Sequence, residues 1–158
     1  MTSKKVYLGL GSNTGDKKVN LMRAIDLLSL ALGSQATLSS IIESEPWGYE
    51  SSNSYLNCVA AFDTTLTPTQ LLDTTEKIEK QIGRTQKSIN GQYSDRPIDI
   101  DILFYGNERV ETPRLTIPHP LLHKRDFVLS PMKEIAPELV HPLLGLTIEE
   151  LHKQLLEE

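Results

Sequence analysis

Residues 98–105 read Ile98-Asp99-Ile100-Asp101-Ile102-Leu103-Phe104-Tyr105. Ile98, Ile100, Ile102 and Phe104 occupy alternate positions, with Asp99 and Asp101 between them. A two-residue period predicts a strand that buries one face and presents carboxylates on the other. Working outward, Lys5 to Leu10 predicts a first strand, and a helix follows from about Asp16. Its residues Val19, Met22, Ile25, Leu28 and Leu32 recur at helical spacing, and Gly33 ends it. Thr37 to Ser44 and Tyr55 to Thr64 read as strands. Thr67, Pro68 and Gln70 open a second helix with a capping box, and Leu71, Leu72, Thr75, Ile78 and Ile82 form its apolar side before Gly83. The order is β-α-β-β-α-β, the split βαβ arrangement of ferredoxin-like folds, in class α+β.

Beyond Tyr105 lies a C-terminal extension. Gly106-Asn107 turns the chain back for Arg109 to Glu111, Pro113 to Pro120 reads as extended, and Leu121 to Ile135 as partly helical. Thr147-Ile148-Glu149-Glu150 caps a last short helix. Two stretches lack a period: a turn-rich loop around Pro46, Trp47 and Gly48, and Arg84 to Arg96, which reads as a long mobile loop. The 158 residues are the size of a single domain, expected to span 1–158.

A formal net charge of −5, with no basic run, argues against nucleic acid as the main partner. The first apolar segment, broken by Gly9 and Gly11, is too short for a secretory signal, and no later stretch reads as a membrane span. The single cysteine, Cys58, has no internal partner and reads as a small core residue, so the cytoplasm is the expected compartment.

Asp99 and Asp101 point to one face of their strand, a spacing at which two carboxylates can share bound magnesium. A solvated polar strand face reads the same way. Nearby cations shift the balance toward a phosphate ligand: Arg84, Lys87 and Arg96 precede the pair, and Arg114, His119, Lys124 and Arg125 follow it. Gly9-x-Gly11-x-x-Thr14 lacks the third glycine of a dinucleotide fingerprint, and no Gly-Lys-Ser or Gly-Lys-Thr is present for a Walker-type loop. His141 and His152 join no constellation and read as surface residues.

Leu-Gly-Ser-Asn near the start, Tyr55-Leu56-Asn57, Arg96-Pro97-Ile98-Asp99-Ile100-Asp101 and Leu115-Thr116-Ile117-Pro118-His119-Pro120 follow one another in order. In this the chain resembles the 6-hydroxymethyl-7,8-dihydropterin pyrophosphokinase family, in register from about residue 5 to residue 140. The resemblance implies transfer of pyrophosphate from ATP to the pterin hydroxymethyl group, with release of AMP, in folate biosynthesis. It implies that Asp99 and Asp101 hold two magnesium ions, and that Arg84 and Arg96 act on the transferring phosphates. ATP as co-substrate would meet Glu79, Ile102, Arg114, Thr116, His119 and Arg125 as well as those two arginines. The pterin would lie between Tyr55 and Phe127 with Asn57 at its edge, in a pocket completed by Ser44, Glu45, Trp47 and Gly48. The expected partners are these small molecules alone, and the expected state a monomer.

Three features depart from the family pattern. Tyr93-Ser94-Asp95 stands where Trp-Gly-Pro is usual, Gln86 replaces a second loop arginine, and the loop is about two residues longer than in the best-known members. Two rival readings follow: a paralogue acting on another acceptor, and a non-catalytic module that binds nucleotide or metal.

Overall fold

The computed structural model describes residues 3–45, 53–83 and 97–158. Five strands form the main sheet: β1 (Lys4–Ser12), β2 (Thr37–Leu38), β3 (Ile42–Ser44), β4 (Tyr55–Thr64) and β5 (Asp99–Tyr105). Helix α1 (Lys17–Leu32) follows β1, and α2 (Pro68–Ile82) follows β4. The strand order is β2-β4-β1-β5, every pairing is antiparallel, and β3 also pairs with β4. This is the expected ferredoxin-like order, with β1 at the centre and β5 at an edge.

The predicted strand Thr37–Ser44 is two short strands along the same edge of β4. The break falls where Ser39 Oγ accepts the Val59 N–H at 2.8 Å, a side chain taking the place of a ladder carbonyl. Both helices start as predicted. The Asp16 carboxylate accepts the Val19 N–H at 3.2 Å, and Thr67 and Gln70 form a reciprocal capping box.

The buried stripe of α1 is Leu21, Ala24, Ile25 and Leu28, which keeps Ile25 and Leu28 of the predicted face, with Leu32 packed beside it, but not Val19 and Met22, which are exposed. This helix carries apolar residues almost all the way round, so the period alone leaves its rotation open. The small Ala24 marks the side that approaches the sheet. On α2 the buried side is Leu71, Thr75, Ile78 and Glu79.

One core lies between the sheet and α1 and α2, built on Val6, Leu8, Leu10, Phe62, Ile98, Ile100 and Ile102. The C-terminal extension makes the second. A 3₁₀ turn (Leu122–Lys124), α3 (Asp126–Ile135) and α4 (Ile148–Leu156) bring Leu122, Leu129, Met132, Ile148 and Leu151 against Val59, Leu103 and Phe104 on the opposite face. Phe104 therefore lies on the other side of the sheet from Ile98, Ile100 and Ile102, against the strict alternation. Tyr7 opposes Phe104 but Leu8 opposes Ile102, so Leu103 is the extra residue of a β-bulge that reverses the phase.

A small hairpin, β6 (Val110–Glu111) with β7 (Thr116–Ile117), follows β5. The stretch read as extended from Pro113 thus begins in a turn, where the Thr112 N–H donates to the Leu115 carbonyl at 2.9 Å. His141 is buried rather than superficial. Its ring meets Phe104 edge-on, with centroids 5.8 Å apart, and its Nδ1 accepts the N–H groups of Leu143 and Leu144 at 3.1 Å. His152 is also largely covered, with Nε2 2.8 Å from Asp126 Oδ1, where it ties α4 to the start of α3. Cys58 is buried as expected, and burial pushes its thiol pKa up to about 11, so it stays protonated. Among the described residues no helix is long and apolar enough to cross a membrane.

Candidate active site

The second face of the sheet is covered by α3 and α4 at the Tyr7–Phe104 end and open at the other. Two cavities meet at the open end. The first, with a volume of about 70 Å³, is lined by Gly9 and Gly11 of β1, Ser44 at the end of β3 and Glu45 after it, Tyr55 and Asn57 of β4, and Phe127 and Val128 of α3. The second, of about 370 Å³, runs along the free edge of β5 between α2 and the hairpin. Glu79, Ile102, Arg114, Thr116 and His119 line it. Asp99, Asp101 and Arg125 belong to both.

Every described residue expected to hold the pterin therefore lines the first cavity, and every described residue expected to hold ATP lines the second. Arg84, Arg96, Trp47 and Gly48, with Gln86, Tyr93, Ser94 and Asp95, lie outside the described residues.

The first cavity suits a flat ring with a polar edge. Tyr55 and Phe127 supply aromatic surface, and Asn57 Nδ2 donates to Ser44 Oγ at 2.7 Å, which fixes the amide. Ahead of β4, Lys17 Nζ donates to the Ser54 carbonyl at 2.9 Å and ties this wall to the start of α1. The Arg125 guanidinium lies 5.6 Å from the centre of the Phe127 ring, so one cation touches an aromatic wall of the first cavity while it also lines the second.

The second cavity is more polar. His119 Nδ1 accepts the Leu121 N–H at 3.2 Å, which places the ring proton on Nε2. Burial, with the nearby Arg125 charge, lowers the His119 pKa to about 4 against a smaller opposing pull from Asp99. In the free protein at neutral pH it is thus uncharged, with an N–H donor on Nε2. Arg114 already pairs with Asp73 and Glu76 of α2, at 2.6 Å each, so an anion in this cleft competes with two carboxylates for that guanidinium.

Glu79 has a role in the fold that its expected place near the nucleotide did not suggest. Only 3% exposed, it accepts the Ile100 N–H through Oε2 at 2.9 Å. Ile100 lies between the two aspartates, so a buried carboxylate on α2 holds the free edge of β5 where the metal-type pair sits. Glu79→Ala is expected to lower unfolding free energy by about 1–3 kcal/mol, because it strands a buried N–H. Glu79→Gln, which keeps an acceptor, is expected to recover most of this in urea denaturation. Equal losses from both variants would contradict the anchoring role.

Two cavities that share a pair of carboxylates and a buried guanidinium have the arrangement of a site for two ligands on either side of a charged wall. Comparison with known proteins agrees in kind. The chain belongs to the 7,8-dihydro-6-hydroxymethylpterin-pyrophosphokinase (HPPK) family, whose profile matches residues 7–137. It is 48% identical over 138 residues to the 2-amino-4-hydroxy-6-hydroxymethyldihydropteridine pyrophosphokinase of Porphyromonas gingivalis strain ATCC 33277, covering 87% of this chain and 93% of that one. With the enzyme of the same name from Aquifex aeolicus it shares 41% identity over 145 residues, covering 92% of this chain and 88% of the other. Among solved structures, wild-type HPPK-DHPS of Plasmodium falciparum superposes with a TM-score of 0.76 at 15% identity. That match covers 97% of this chain but 42% of the larger one, and at this identity it shows a shared fold.

Proposed function

We infer that this chain transfers the diphosphoryl group of ATP to the hydroxymethyl oxygen of 6-hydroxymethyl-7,8-dihydropterin, with release of AMP, in folate biosynthesis. The observation that carries the division of labour is the pair of cavities with Asp99, Asp101 and Arg125 as their common wall. The pterin ring occupies the smaller cavity, among Tyr55, Phe127, Asn57, Ser44 and Glu45. ATP occupies the larger, its phosphates directed to the shared wall.

The acceptor oxygen attacks the β-phosphorus in line. The bond from that phosphorus to the α,β-bridging oxygen breaks, AMP departs with the oxygen, and the hydroxyl proton passes to solvent. No described side chain has to remove the proton, because transfers of this kind depend mainly on positioning and charge stabilisation. Arg125 and His119 orient the phosphates from the cleft, while Ile102 and Thr116 line the nucleotide's path. Arg84 and Arg96, outside the described residues, are assigned the bridging and leaving oxygens on sequence alone.

The donor set fits magnesium. Among the described residues no group of three or more His, Cys, Asp or Glu is placed to hold a metal. Two carboxylates on one strand face suit an ion that completes its shell with phosphate oxygens and water. Asp99 and Asp101 would hold two such ions, which neutralise the triphosphate and draw charge from the transferring group. Action as a monomer, with a single domain over 1–158, is part of the same proposal. A cytoplasmic setting belongs to the same proposal, in keeping with a chain whose single cysteine has no internal disulfide partner.

AMP formation from ATP tests the assignment. AMP is expected only when the hydroxymethyl-dihydropterin is present, and a chelator is expected to abolish it. Binding of both ligands with no AMP would overturn the reading.

A further inference from the structure

The Gly9-x-Gly11 sequence matches no nucleotide fingerprint, yet both glycines line the first cavity. Strand register shows why they sit there. On the central strand β1, Gly11 is opposite Asn57 of β4 on one side and Asp99 of β5 on the other. Gly9 is likewise opposite Val59 and Asp101. Directly opposed residues in antiparallel pairs carry their side chains on one face. Two rows therefore cross the sheet with no side chain in the middle: Asn57–Gly11–Asp99 and Val59–Gly9–Asp101. Their outer members stand two strand spacings apart, about 10 Å. The result is a trough running from the aromatic cavity to the carboxylates.

Neither glycine has a positive φ, so backbone conformation does not require them. Glycine inside a strand weakens it, and alanine would be the better residue if space were free. At Gly11 it is not. A Cβ there would lie 3.2 Å from Asn57 Oδ1 and 3.3 Å from Tyr55 Cδ1. Asn57 cannot withdraw easily, since it is 6% exposed and bonded to Ser44. At Gly9 the nearest atoms to a Cβ would be those of the Leu103 side chain, at 3.4–3.6 Å, an ordinary contact.

We propose that Gly11 is a specificity-determining residue, whose bare α-carbon is the floor on which the acceptor ring lies and over which its hydroxymethyl arm reaches the Asp99–Asp101 end. The proposal rests on the reading of the first cavity as the acceptor pocket.

The test compares Gly11→Ala, Leu30→Ala and Tyr55→Ala in steady-state kinetics, with nucleotide affinity measured separately by titration with a non-hydrolysable ATP analogue. Overpacking of a fitted site predicts that Gly11→Ala raises the acceptor KM by about 10- to 100-fold. Nucleotide affinity of Gly11→Ala should stay within about twofold of the parent, and Leu30→Ala, at a site 81% exposed on α1, should match the parent within about twofold on every measure. An unchanged acceptor KM in Gly11→Ala overturns the proposal. If Tyr55→Ala still raises that KM, the pocket reading survives alone; if both variants alter nucleotide affinity instead, the pocket reading falls too. A second readout needs no variant. In the wild-type chain with ¹³C-labelled glycine, added 6-hydroxymethylpterin should shift the Gly11 α-proton signals through the ring current, and no shift there would also overturn the proposal.

Discussion

Replacing Asp101 by alanine is expected to lower kcat by at least about 10²- to 10³-fold, the range for loss of one element of transition-state charge stabilisation. The same applies to Asp99→Ala. Both carboxylates sit half-exposed at the junction of the two cavities, with the strand pinned by Ile100 and Ile102 in the core behind them. Their removal leaves that core untouched, so the urea midpoint should move little. Asp101→Asn separates charge from shape, since it keeps the volume and one acceptor oxygen. It should stay severely impaired at ordinary magnesium and recover only partly when magnesium is raised. Near-normal turnover in either alanine variant would remove the carboxylate pair from the mechanism.

Phe104→Ala is expected to cost about 3–5 kcal/mol of unfolding free energy, the range for a large aromatic truncated in a packed core. Phe104 is 1% exposed, and its ring is met edge-on by Tyr7 at 6.2 Å and by His141 at 5.8 Å. It lies in the second core, so its loss should loosen α3 and α4 against the sheet. Leu30→Ala, at a site 81% exposed, should change stability by less than about 0.5 kcal/mol. A comparably small loss at Phe104 would mean that the C-terminal helices add little to the fold.

Phe104 also marks where sequence pattern stops being a guide. Alternation correctly placed Ile98, Ile100 and Ile102 on one face, and with them the two aspartates on the other. It failed at Leu103, because a bulge adds a residue without changing composition. Capping chemistry was readable at Thr67 and Thr147, where side chain and backbone lie within a few residues of each other. The rotation of α1 was not, since a helix apolar on most sides takes its orientation from the sheet it meets. His141 escaped for a similar reason, as its neighbours Phe104 and His123 are distant in sequence.

Within the site, motif order was enough to name residues that the fold gathers into two cavities. It did not reveal that Glu79 holds β5 or that Asp73 and Glu76 occupy Arg114, because those contacts join a helix to strands and turns far along the chain. The glycine pair was visible from the start, but its meaning depended on knowing which strands flank β1.

The wall common to both cavities has a thermodynamic consequence. A ligand that settles against Asp99, Asp101 and Arg125 from one side alters the charge and freedom of the groups that the other ligand must meet. Coupling free energy between two sites is reciprocal. Whatever factor ATP imposes on the affinity for the acceptor, the acceptor imposes on the affinity for ATP. On the proposed placement of the two ligands those three side chains contribute to that factor, so a substitution at Arg125 is expected to change how strongly each ligand senses the other, beyond any change in how tightly either binds alone.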